Sequence, residues 1–165
     1  MVRSTVRFVR KKMGVSDWFA PVLLFAILGV IVLGPALRYG FVFLLDMPWP
    51  QKFQLSDFTA ARSAHIPIRF FLTLANKVIP AWVIQKIVLV GILTLAGFSM
   101  YRLHRHFKVP RSRRYAAGIV YACNPFVLER LAGGQWLLLL GYAMLPFFVS
   151  RLVLFARNPN RKNTI

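Results

Sequence analysis

Acidic side chains are nearly missing from this sequence: Asp and Glu number 4 against 22 Lys and Arg in 165 residues, a formal net charge of +18. With 58% of the chain hydrophobic as well, that balance excludes an ordinary soluble domain, in which about a quarter of residues are charged and about half are apolar. Cysteine is as scarce. Cys123 stands alone, which rules out an intrachain disulfide and any cysteine-based metal cluster, and in its apolar run it reads as an inert buried thiol. No Gly-rich phosphate loop, Ser-x-x-Lys pair or HExxH pattern occurs.

What is present is oil in long runs, punctuated by short basic clusters. A bilayer core of about 30 Å takes about 20 apolar residues at 1.5 Å each. Residues 18–37 meet that length without a charge. A basic leader, residues 1–17 with Arg3, Arg7, Arg10, Lys11 and Lys12, precedes them. A cleaved signal peptide is the competing reading, but the apolar stretch exceeds a signal core of about 7–15 residues, and Gly34-Pro35-Ala36-Leu37-Arg38 offers no small-x-small site. The segment reads as a retained helix. Residues 79–103 form a second span whose interior charge, Lys86, sits near enough to one end to snorkel. Residues 115–131 form a short third span broken at Asn124-Pro125, and residues 136–156 a fourth containing Pro146. Such breaks are tolerated in membranes where neighbouring helices or a cavity satisfy the freed carbonyls. The expected fold is an all-α polytopic bundle of about four spans.

The cations lie between the spans rather than along one helix face or groove, which fits lipid headgroups and topology signals better than nucleic acid. Arg102, Arg105, Lys108, Arg111, Arg113 and Arg114 crowd the segment around 104–114, and Arg157, Arg161 and Lys162 the tail, 157–165. Positive-inside counting places leader, basic loop and tail in the cytoplasm. His104 and His106 are two apart, on different helix faces and among cations, which argues against a metal pair.

Residues 38–78 then form an extracytoplasmic loop. Within it, 65–78 carry Arg69, Thr73, Asn76 and Lys77 at helical spacing among Ile66, Phe70, Phe71 and Leu74, the pattern of an amphipathic helix in the outer interface. The loop opens on Leu45-Asp46-Met47-Pro48-Trp49-Pro50, and Asp57 follows on the same side. A carboxylate there has the chemistry of a general base for a hydroxyl attacking a sugar carbon; equally, it suits capping of a turn or pairing with Arg38 or Lys52. Glu129, Arg130 and Gln135, beside an apolar stretch, suit a lipid phosphate or sugar hydroxyl, or a headgroup-level turn anchored by Trp136.

The order of these features resembles the N-terminal part of the multispanning bacterial glycosyltransferases of the C superfamily: a first span, a loop opening with Leu-Asp-Met-x-x-Pro, an interfacial helix, a second span, then Tyr121-Ala122-Cys123-Asn124-Pro125-Phe126, Gly134-Gln135-Trp136 and Gly141-Tyr142-Ala143-Met144-Leu145-Pro146. The resemblance implies a cytoplasmic (inner) membrane enzyme with both termini in the cytoplasm, a polyprenyl-phosphate sugar donor and Asp46 as catalytic base. Asp57 is a second acid, because such families often use a pair. Arg62, His65 and Arg69 become candidate phosphate contacts, joined more weakly by Glu129, Arg130 and Gln135. No cofactor is indicated, though a divalent ion is compatible with the chemistry. Relatives of this kind are much longer, so the resemblance implies either a fragment or a second polypeptide that completes the bundle. The rival expectations are a non-enzymatic subunit or lipid-binding scaffold, and a small transporter, for which the spans offer few polar residues beyond Lys86, Asn124 and Arg151.

Overall fold

The computed structural model describes residues 15–42, 47, 49 and 66–157, with backbone alone for 15–17, 66, 67, 69 and 157. The order is α1 (Val15–Leu33), a 3-10 turn (Gly34–Leu37), α2 (Ile66–Ala75), α3 (Ala81–His106), α4 (Arg111–Ala122), α5 (Pro125–Ala132) and α6 (Trp136–Arg157), with no strand among the described residues. Three segments, Trp18–Leu37, Ala81–His106 and Trp136–Ala156, are long and apolar enough to cross a bilayer. The chain is an all-helical, multipass membrane protein.

The bundle is organised around α3, against which α1, α4 and α6 all pack. Pairings fix the directions. Trp18 lies by Phe98, with ring centroids 5.6 Å apart, and the ammonium of Lys86 reaches the carbonyl of Leu37, so α1 and α3 are antiparallel. Tyr101 lies 4.9 Å from Tyr115, with Gly97 against Gly118, so α4 runs back up α3. Phe98 lies 6.3 Å from Phe147, Arg102 faces Phe147 and Arg151, and α6 therefore descends parallel to α3. Two parallel helices in sequence require a return between them, and α4 with α5 supplies it. The third apolar segment thus traverses the bundle as two short helices, neither long enough to count among the three spans.

Helix ends follow local chemistry. α3 finishes on the basic residues His104, Arg105 and His106, of which the Arg105 guanidinium suits the negative end of its dipole. α5 begins with Asn124, whose Oδ1 accepts from the Val127 N–H at 3.0 Å, and Pro125 occupies the first turn where no N–H is needed. At the other end Gly134 adopts φ 75, while the Gly134 and Gln135 amides donate to the Leu131 and Arg130 carbonyls at 3.0 Å. That paired closure needs a left-handed residue, a conformation glycine adopts at no steric cost.

Close approach at the crossing of α1, α3 and α4 depends on absent side chains. Phe25, fully buried, wedges its ring between Gly97 and Gly118. A Cβ on Gly97 would stand 2.7 Å from Cγ of that ring, and one on Gly118 2.7 Å from the Gly97 carbonyl oxygen.

Lys86 departs from the snorkelling expected of it. It is 8% exposed and donates to the carbonyls of Leu37 and Arg38, with the Trp82 ring 4.8 Å from its Nζ. The carbonyls at the end of the 3-10 turn lack helical donors and offer the ammonium closer partners than the interface does. The loop helix differs too. α2 ends at Ala75, and Thr73, placed by spacing on the polar stripe, is buried beside Leu72. Phe70, Phe71 and Leu74 are exposed, as side chains turned toward lipid would be, while Leu72 and Ile68 join the core of the bundle.

Candidate functional site

The site of interest lies at the end of the bundle away from the basic α3–α4 turn, where α1 ends and α6 begins. Its frame is set by Gln85, one residue before Lys86 and completely buried. The Gln85 amide makes two hydrogen bonds to one backbone unit: Val42 N–H donates to Oε1 at 2.9 Å, and Nε2 donates to the Val42 carbonyl at 2.8 Å. A side-chain amide in this arrangement imitates a strand partner. Between them Gln85 and Lys86 fasten the chain from Leu37 to Val42 onto the first turns of α3, and so fix where the following segment starts.

That segment returns to the core at Met47 and Trp49, both buried. The Trp49 and Trp136 rings lie 5.3 Å apart at 58°; a tilted aromatic pair of this kind adds about 0.5–1.5 kcal/mol to the burial of its area. Trp136 opens α6 directly after Gln135, and Trp49 stands three positions beyond Asp46. Trp49 and Trp136, one from each of the two polar clusters singled out in the sequence, thereby meet at one end of the bundle.

On the α5 side Arg130 is held from several directions. Its Nη1 donates to Gln135 Oε1 at 3.0 Å, its guanidinium lies 5.6 Å from the Phe126 ring, and its Nη2 stands 3.8 Å from Glu129 Oε1. Adjacent on the helix, the two charges nonetheless approach one another, but Glu129 is 71% exposed and solvent weakens such a pair. The buried Nε of Arg130 has no acceptor among the described residues. A planar cation oriented by an amide and a ring, with one edge unsatisfied, can receive a phosphate or carboxylate.

Of the residues chosen from sequence, the structure therefore brings together Arg130 and Gln135, with Glu129 at the solvent edge. Asp46, Asp57, Arg62 and His65 lie outside the described residues, and for Arg69 only its place on α2 is described. Among the described residues no group of three His, Cys, Asp or Glu side chains is placed to hold a metal ion. Gln85 was not singled out, although an amide beside a lysine in an otherwise apolar run was the available signal.

No protein-family model, characterised protein or solved structure matches this chain.

Proposed function

We propose that the chain is the N-terminal module of a membrane glycosyltransferase-like protein that takes sugar from a polyprenyl-phosphate donor, with the transfer site at the Trp49–Trp136 end of the bundle. The supporting observation is that tryptophan pair, which ties the segment carrying Asp46 to the turn carrying Arg130 and Gln135. In this reading the basic end lies in the cytoplasm, where positive-inside counting assigns it, and the site faces the opposite side.

The Asp46 carboxylate takes the proton of the acceptor hydroxyl, and Asp57 is the second candidate for that role. The oxygen attacks the anomeric carbon as the bond from that carbon to the donor phosphate oxygen breaks. The polyprenyl phosphate leaves with the electron pair, its charge met by Arg130 and by the loop cations Arg62, His65 and Arg69. The long donor chain stays in lipid beside the exposed apolar faces of α1 and α6.

A second reading, a non-enzymatic subunit or lipid-binding scaffold, draws on the same faces. Only 22% of the first and last spans is buried within the bundle, leaving wide surfaces for further helices or lipid.

A photoactivatable polyprenyl-phosphate sugar distinguishes the two. In membranes containing the full chain, the enzyme reading expects crosslinks around Trp49 and residues 130–136, lost in Arg130→Gln. In membranes that support transfer, Asp46→Asn should lower the rate by about 10²-fold or more. Undiminished transfer by that variant removes Asp46 as the base, and crosslinks confined to the outer faces of α1 and α6 favour the scaffold.

A further inference from the structure

Arg130 sits where an arginine is not left by water alone. Its side chain is 34% exposed, enough to turn its N–H groups outward, yet its Nε is buried and has no acceptor among the described residues. A buried donor in that state raises the free energy of the fold, so the guanidinium is held against the pull of solvent. Gln135 is one hold, through Nη1. Glu129 is a poor one, since it is 71% exposed and solvent weakens its attraction.

The other hold is Phe126. Residues four apart on a helix share a face, and a helical side chain leans back toward the start of its helix. Arg130 therefore reaches over Phe126, its guanidinium 5.6 Å from the ring. The face of an aromatic ring attracts a cation, which an aliphatic side chain of similar bulk does not.

The ring is in turn fixed from outside α5. It lies 5.3 Å from the Tyr142 ring at 42°, and the Tyr142 oxygen accepts from Nδ2 of Asn124, the residue that caps α5. α6 is the helix against which α5 chiefly packs. One tyrosine of α6 thus contacts both the cap of α5 and the ring beneath the guanidinium.

We propose that Phe126 is the positioning residue for Arg130, its ring, set by Tyr142, holding the guanidinium in the orientation that receives a phosphate. This rests on the reading above, in which Arg130 meets the phosphate of the donor. Phe126 acts only through Arg130, so its contribution vanishes when the guanidinium is removed.

The test titrates the purified full chain in detergent with farnesyl monophosphate, and with farnesol as the phosphate-free control, reading affinity by calorimetry. Wild type should favour the phosphate, and Arg130→Gln should lose that advantage. Phe126→Leu keeps an apolar side chain where the ring is 40% exposed. It should weaken farnesyl monophosphate about fivefold, the scale of a cation–π contact, and leave farnesol unchanged; Phe126→Met repeats the measurement if the leucine variant aggregates. Phe126→Tyr retains the ring and should bind as wild type does. In an Arg130→Gln background, Phe126→Leu should cause no further loss. An advantage that survives Arg130→Gln would overturn the phosphate reading and the proposal with it. An advantage lost in Arg130→Gln but kept in Phe126→Leu, a tyrosine variant as weak as leucine, or equal losses with and without Arg130 would overturn the positioning role alone.

Discussion

Tyr121 and Tyr142 each supply the hydrogen bond that a proline removes from the other. Pro125 has no N–H for the Tyr121 carbonyl four residues earlier, and Pro146 none for that of Tyr142. The Tyr121 hydroxyl donates to the Tyr142 carbonyl at 3.0 Å, and the Tyr142 hydroxyl donates to the Tyr121 carbonyl at 3.1 Å. The rings stack with centroids 4.2 Å apart and planes 8° from parallel. Asn124 closes the group by donating from Nδ2 to the Tyr142 oxygen at 2.8 Å and to the Tyr121 carbonyl at 2.9 Å.

Removing the Tyr121 hydroxyl should leave the Tyr142 carbonyl without its donor in an apolar setting, and removing the Tyr142 hydroxyl leaves the Tyr121 carbonyl to Asn124. Tyr121→Phe is expected to cost about 1–3 kcal/mol in detergent unfolding. Tyr142→Phe should cost more, because its oxygen also accepts from Asn124. The double variant should fall short of the sum by at least about 0.5 kcal/mol if the two act as one unit; strict additivity would show that they do not.

The Phe25 wedge separates two glycines that look alike in sequence. Gly97→Ala and Gly118→Ala should each lower the melting temperature, at about 1–3 kcal/mol for an overpacked contact. Phe25→Leu should relieve Gly97→Ala, whose added carbon strikes only the ring among its nearest atoms. It should rescue Gly118→Ala poorly, since there the Gly97 backbone oxygen also stands in the way. Equal rescue of both would mean that α3 and α4 can separate freely.

Gln85→Leu preserves volume but removes both bonds to Val42. Amide exchange at Val42 should accelerate at least about tenfold, the equivalent of about 1.4 kcal/mol. Gln85→Glu keeps the acceptor for the Val42 N–H and loses the donor, so its exchange should lie between wild type and leucine. Exchange unchanged in both would show that the segment is held elsewhere.

Orientation can be checked with cysteines introduced at Ser4 and Asn163 in a Cys123→Ala background. With both termini cytoplasmic, as the basic clusters predict, neither should react in intact cells with an impermeant thiol reagent, and both should react after lysis. Labelling of either before lysis would reverse or recount the passes.

The helical membrane character was readable because it rests on composition and length: the charge-free run at 18–37 and the long segments beginning near Ala81 and at Trp136 need no partner to be recognised. The break at Asn124-Pro125 was readable for a local reason, since a capping side chain followed by a first-turn proline is a start signal in itself. Contacts between distant residues were not. Gln85 takes its meaning from the backbone of Val42, 43 positions away, and Lys86 from carbonyls whose helical donors run out at the end of the first span. The meeting of Trp49 with Trp136 depends on α3 and α6 running parallel. Of the candidate site, residue chemistry was visible in Arg130 and Gln135, but not their mutual bond, which is created by the turn at Gly134.

The divided third pass carries a consequence for biogenesis. α4 begins at Arg111 and lasts 12 residues, and α5 adds 8, too short an apolar length for either to partition into the bilayer alone. The Tyr121 carbonyl at the break accepts from the Tyr142 hydroxyl of α6, which the ribosome makes afterwards. A nascent chain released at Gly134 would hold α1 and α3 in lipid and leave α4 and α5 at the surface beside the basic turn. Synthesis of α6 then draws them inward, so the third pass enters the membrane only with, or after, the fourth.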